Sequence, residues 1–335
     1  MRKTIKILLF LLAGAMIILA AVSAYITVTF DKHDYRDALI TAVRNFTDYQ
    51  IEITEPLTAD ISIQPSFSAP AIKLILPDGK SSLEIRKFHL KLTPAALIQR
   101  HLQIIVSGLI DSQASLKLIL PEELASVDSL TLAAKISMNG SVLKFTNLKL
   151  QATNKQGLDI RANGHGLIED FSAPQPFNVL DLGLKISSPD SRTLKGYLPD
   201  DLPELGQLRG GLRLIAVSDQ DLAARKINFN CMRTEDKLET RIKGEISRIP
   251  VDPDKPNTGI DLKLELHSLT TVTMNEFLLQ SLPEIGPVRV KARVRGSKRE
   301  LSIEDVELHA GNSGALEIRS DGRLKFKASG SETNP

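Results

Sequence analysis

Tryptophan is absent from this chain, aromatic residues make up only 4% of it, and Cys231 is its single cysteine. One thiol forms no intrachain disulfide and no cysteine-rich metal centre. Compact cores take much of their volume from aromatic rings; here the apolar 42% is carried mainly by Leu, Ile, Val and Ala. Neither sign of charge dominates, since 42 Lys and Arg against 40 Asp and Glu leave +2 over 335 residues. Bulk electrostatics therefore gives no support to nucleic-acid binding. The six histidines, His33, His89, His101, His165, His267 and His309, are scattered, and none pairs with another at metal-ligand spacing. Gly206, Gly210 and Gly211 lack the Lys-Ser/Thr of a phosphate loop. The region of Asp181 and Asp190 lacks a calcium-loop pattern. With no catalytic constellation in view, the expectation is a protein that is not an enzyme and carries no cofactor.

Long apolar runs are also scarce, with one exception. Arg2, Lys3 and Lys6 precede an uncharged stretch from Ile7 to Phe30. As a helix, that stretch is long enough to cross a hydrocarbon core of about 30 Å. The positive-inside rule keeps residues 1–6 in the cytoplasm and sends everything after Asp31 across the membrane. The alternative is a cleaved signal peptide, with Val22-Ser23-Ala24 as the peptidase site. The run continues past that site through Ile26 and Val28, which favours a single-pass anchor. Asp31 to Thr47 then reads as an amphipathic helix with Tyr35, Leu39, Val43 and Phe46 on one face, suited to plug an open end of β structure.

The remainder alternates with period two. Val288, Val290, Ala292 and Val294 interleave with Arg289, Lys291, Arg293 and Arg295, which gives a strand one apolar and one charged face. Phase shifts near Arg86 and at Glu304-Asp305 predict β-bulges. Asp78-Gly79 and Asn139-Gly140 predict hairpins. Leu116, Leu118 and Leu120 read as a strand, Pro65–Pro70 as a loop, Pro94–Gln99 as a helical turn, Asn163–Gly166 as a turn, and Thr271–Leu282 as a short helix. Residues 329–335 form a polar tail.

A repeat organises these strands. Pro203-Glu204-Leu205-Gly206 and Pro283-Glu284-Ile285-Gly286 stand 80 positions apart (283 − 203), with a looser copy at Pro121-Glu122-Glu123-Leu124. An alternating strand follows each, as expected of stacked units sharing one apolar surface. Composition and pattern leave an open groove and a closed sandwich equally open.

Four segments resemble the AsmA family. They are Phe30-Asp31-Lys32-His33-Asp34-Tyr35-Arg36, Tyr49-Gln50-Ile51-Glu52-Ile53, Leu97-Ile98-Gln99-Arg100-His101-Leu102-Gln103-Ile104 and Leu282-Pro283-Glu284-Ile285-Gly286-Pro287-Val288-Arg289. The resemblance implies an inner-membrane anchor, a periplasmic body and a long β-groove related to bridge-like lipid-transfer proteins. It carries over no catalytic residue.

The expected architecture is mainly β. Residues 1–30 are the cytoplasmic tip and transmembrane anchor, 31–48 the capping helix, 49–328 a periplasmic antiparallel sheet curled into an open groove built from repeats of about 80 residues, and 329–335 the tail. The expected ligands are phospholipids, with acyl chains lying against Ile61, Ile72, Leu74, Leu132, Leu182, Leu184, Ile260, Leu262, Leu264, Val288, Val290 and Ile303. Other envelope proteins are expected partners at the distal end. The alternative is an envelope scaffold that assists outer-membrane protein assembly without carrying lipid, its strand edges binding partners by β-augmentation.

Overall fold

The computed structural model describes residues 40–41, 50–54, 56–60, 64, 66–76, 78–79, 81–93, 102–120, 126–139, 142–169, 177–194, 204–218, 221–250, 252, 255–276, 283–297, 300–311 and 317–327. The anchor, most of the 31–48 helix, Ile61, the Pro94–Gln99 turn, the Pro121–Leu124 copy and the polar tail lie outside them. No helix among the described residues is long and apolar enough to cross a membrane.

Among the described residues, sixteen strands form one antiparallel sheet, and no pairing joins its first strand to its last. They are β1 (Gln50–Ile53), β2 (Thr58–Asp60), β3 (Ser66–Ile75), β4 (Ser82–Leu92), β5 (Leu102–Ile110), β6 (Ser129–Asn139), β7 (Val142–Thr153), β8 (Asp159–Ile168), β9 (Phe177–Ser188), β10 (Gln207–Ser218), β11 (Asp221–Arg233), β12 (Leu238–Pro250), β13 (Thr258–Ser268), β14 (Val288–Ser297), β15 (Glu300–Gly311) and β16 (Glu317–Lys327). Strand order follows chain order except at β2, which pairs with β3 beside β1. Two compact units divide the chain: Met1–Lys155 with Asp159–Leu180, and Gln156–Leu158 with Asp181–Pro335.

In the first unit one face of the sheet is the core. Direct cross-strand partners share a face. The register sets Ile53 against Ile72, Ile72 against Ile85, Leu90 against Val106, Val106 against Ala134, and Ile136 against Phe145. All of these are buried. A short helix, α1 (Gln113–Ile119), joins β5 to β6. The leucine alternation predicts a strand here, but Leu116 and Ile119, three apart, are the buried pair, as a helix face requires. Ser115 fastens the helix to β4 by accepting the Glu84 amide at 2.8 Å.

Two further expectations fail. Residues 66–70 belong to β3 and Asn163–Gly166 to β8. In β8 the glycine does not mark a turn: a Cβ on Gly166 would collide with the Phe145 ring of the neighbouring strand. Glycine in a strand interior here marks close approach.

The second unit repeats a smaller vocabulary. A 3-10 turn (Ser191–Leu194) follows β9, and a single helical turn, α2 (Thr271–Met274), follows β13. α2 is shorter than the predicted Thr271–Leu282 helix, whose residues 277–282 lie outside the described residues. The bulges fall where the phase shifts predict. Register slips between Arg86 and His89 on β4 and between Ile303 and Val306 on β15. A non-glycine residue at positive φ sits in each, Lys87 at 49° and Asp305 at 51°. Asn147 (52°) and Lys226 (52°) mark the same irregularity on β7 and β11.

Candidate functional site

The apolar face of the second unit is built by register. Leu184 on β9 faces Leu212 on β10, and Leu182 faces Leu214. Phe229 on β11 faces Ile242 on β12, which faces Leu264 on β13, which faces Ala292 on β14. A parallel row runs Gly244, Leu262, Val294, Ile303, and beside it Ile246 faces Ile260. Every side chain in these rows is half-buried, not buried.

The face is sealed at one end of the strands. There Leu208, Cys231, Leu238, Ser268, Val288 and Ala310 are all under 9% exposed. Val288 and Ala310 form a small core with Ile285, Leu266, Val290 and Leu308 packed against it. Two matching latches close this end. The Ser191 hydroxyl accepts the Leu205 amide at 3.0 Å, and the Ser191 amide donates to the Gly206 carbonyl at 2.8 Å. The Thr271 hydroxyl accepts the Ile285 amide at 3.0 Å and donates to the Gly286 carbonyl at 3.1 Å. Both Gly206 and Gly286 have positive φ, 71° and 106°, and β-carbons are disfavoured there. These are the two Pro-Glu-Leu/Ile-Gly segments, so the motif is a fastening for the sealed end.

The opposite face is charged and carries several ion pairs. Arg293 donates two hydrogen bonds to Asp261, at 2.7 and 2.6 Å, and that hydrogen bonding holds the Asp261 carboxyl below its ordinary range. Arg213 pairs with Asp181, Arg225 with Glu245 at 2.6 Å, and Lys291 with Glu307 at 2.9 Å. Exposed pairs of this kind contribute about 0–1 kcal/mol each; their role is to fix register and keep that face in water. A depression of about 260 Å³ lies among Asn230, Glu239, Arg241, Glu265 and Arg289. Charged and polar side chains make up most of its lining, with Leu266 among them.

Chemically, the apolar face offers area without directional bonds. Polar atoms interrupt it near the sealed end, among them the Cys231 thiol and the Thr240 hydroxyl. Burial pushes the Cys231 thiol up to about 11, so it stays protonated and inert at neutral pH. Thr240, directly opposite Cys231, has a buried hydroxyl with no hydrogen-bond partner.

The predicted lining residues separate into groups. Leu182, Leu184, Ile260, Leu262, Leu264, Val290 and Ile303 lie on the half-exposed face. Val288 belongs to the sealed end at 2% exposure. Ile72, Leu74 and Leu132 are buried in the core of the first unit, and Ile61 lies outside the described residues. Leu214, Phe229, Ile242, Ile246 and Val294 are missing from the predicted set although they share the rows. Their signal was the cross-strand register, which one strand's alternation does not contain.

Comparison with family models, with curated proteins and with solved structures gives no match.

Proposed function

We propose that this chain is an AsmA-type, inner-membrane-anchored periplasmic protein whose sheet forms an open groove for phospholipid acyl chains. It contributes to lipid transport or homeostasis between inner and outer membranes. The observation that carries the reading is the apolar face of the second unit. It is continuous across β9–β15 and half-buried along most of its rows; burial is complete at the Leu208–Ala310 end and, toward the other end, at Ala224 and Ile227 of β11. A contiguous apolar face that no other layer fully covers is a common form of binding surface.

Each methylene laid against it contributes about 0.8 kcal/mol. An aliphatic lining with few polar atoms gives shallow, similar wells, so a chain can slide along a row while its headgroup stays in water. Stacked units of about eighty residues fit this role, and three spacings support them. The latches at Ser191 and Thr271 are 80 positions apart (271 − 191), and the bulge residues Asn147, Lys226 and Asp305 are each 79 apart (226 − 147, 305 − 226).

The test is lipid extraction and mass spectrometry of the purified full chain, beside a Leu262→Asp/Leu264→Asp variant whose folding is checked by circular dichroism. Co-purified phospholipid that the folded variant lacks is the expected result. Equal lipid in both, or none in either, overturns the groove; a lipid-free chain turns the search to protein partners and the scaffold reading.

A further inference from the structure

β16 pairs with β15 along one side and ends the strand order. Among the described residues no strand pairs with its other side, which runs for eleven residues from Glu317 to Lys327. A long, unpaired edge is a template for another strand, and the sequence of this one is complementary to itself.

We infer that the β16 edge takes β16 of a second copy of the chain, antiparallel, about a two-fold axis through Gly322. In that register Asp321 lies opposite Arg323 of the second copy and Glu317 opposite Lys327, each pair occurring twice by symmetry. Ile318 lies opposite Phe326 and Ser320 opposite Leu324, on the face that β15 fills with Ala310, Leu308 and Ile303. Arg319 opposite Lys325 is the one like-charged pair. Centring the axis on Asp321 or on Arg323 instead would set like charges against each other on the axis itself. A half-residue shift would put apolar residues opposite charged ones and mismatch the faces.

Asp321 supplies a second reason. Within its own sheet it sits directly opposite Glu307, whose carboxylate already takes Lys291 at 2.9 Å. Like charges directly opposite are destabilising. Between two copies the position faces Arg323 instead, which within its own sheet reaches Glu304 at 3.8 Å. Gly322 at the axis is also open: a Cβ built there meets nothing within 4 Å. The contact is isologous, so it closes at two copies and does not propagate into a fibre. It does not depend on what the apolar face holds.

Cysteine placement and charge exchange test this on the purified full chain in detergent. Paired residues on the axis have Cα atoms about 4.5–5.5 Å apart, within disulfide reach, so Gly322→Cys is expected to link two copies under mild oxidation. Ser320→Cys, on the same face, would sit roughly four residues, about 13 Å, from its own mate and is expected not to link. The wild type, whose Cys231 is buried, gives the background. Asp321→Arg is expected to weaken dimerisation in sedimentation equilibrium about tenfold. The change puts a cation opposite Glu307 in its own sheet, and circular dichroism of the variant separates weakened pairing from misfolding. Asp321→Arg/Arg323→Asp is expected to restore the dimer. A monomeric wild type, linking at Ser320→Cys as fast as at Gly322→Cys, or Asp321→Arg without effect would each overturn the inference.

Discussion

Thr271 holds Ile285 in place: its hydroxyl accepts the Ile285 amide at 3.0 Å while donating to the next residue's carbonyl at 3.1 Å. Thr271 is fully buried, so removing the hydroxyl strands a buried amide and a carbonyl. Thr271→Ala is expected to lower unfolding free energy by about 2–3 kcal/mol, and Thr271→Ser to recover most of it. Urea unfolding of the two variants checks the difference.

The bulge at Lys226 places a side chain at φ 52°. A β-branched residue suffers most in that conformation, so Lys226→Val is expected to destabilise by about 1–2 kcal/mol, whereas Lys226→Gly is expected to be neutral or mildly stabilising. Lys226 is exposed, which leaves the backbone as the main cause. Thermal unfolding distinguishes the two.

Arg233 is a junction beneath the sealed end. Its side chain is 10% exposed. It donates to Asp236 at 3.0 Å, to Glu276 at 2.7 Å and to the Glu204 carbonyl at 2.9 Å. The Arg233 hydrogen bond holds the Asp236 carboxyl below its ordinary 3.8. A depressed folded pKa contributes stability that is fully present above the unfolded value and lost as pH falls through the folded one. Acid unfolding below pH about 4 is therefore expected to be shallower in Arg233→Met. At neutral pH that variant is expected to lose about 1–2 kcal/mol, since it leaves the partly exposed Asp236 carboxylate and Glu204 carbonyl without this donor. Denaturant melts at pH 7 and below pH 4 check both.

Much of the fold is legible in the sequence because alternation is a direct record of a two-faced strand. Val288 to Arg295 predicts β14, and the slips at Arg86 and Glu304-Asp305 predict bulges at Lys87 and Asp305. Alternation fails where two periods coincide. Leu116, Leu118 and Leu120 satisfy period two, yet Leu116 and Ile119 decide the matter as a helix face. It fails again at Gly166, where glycine answers to the neighbouring Phe145 and not to a turn. The site is less legible than the fold. Nothing in the spelling of Val288 and Val290 separates them, but Val288 forms the small core with Ala310 and Val290 only packs against its edge. Exposure is set by what packs above a residue, and that comes from distant segments.

Cys231 reports on the sealed end without any labelling mutation. It is 4% exposed, and burial raises its thiol to about 11. Reaction with a thiol reagent at pH 8 is expected to be slow in the native chain and at least about tenfold faster in Thr271→Ala, where the latch opens. Equal rates would place the latch apart from this end's protection.

The most direct test of the groove uses the two faces of one strand. Leu262 and Leu264 lie on the half-exposed apolar face of β13, and Lys263 between them points to the charged face. A photo-crosslinking residue placed at each position in turn, irradiated in cells, is expected to attach phospholipid at 262 and 264 and none at 263. Labelling that is equal at all three positions, or absent from 262 and 264, would contradict the account.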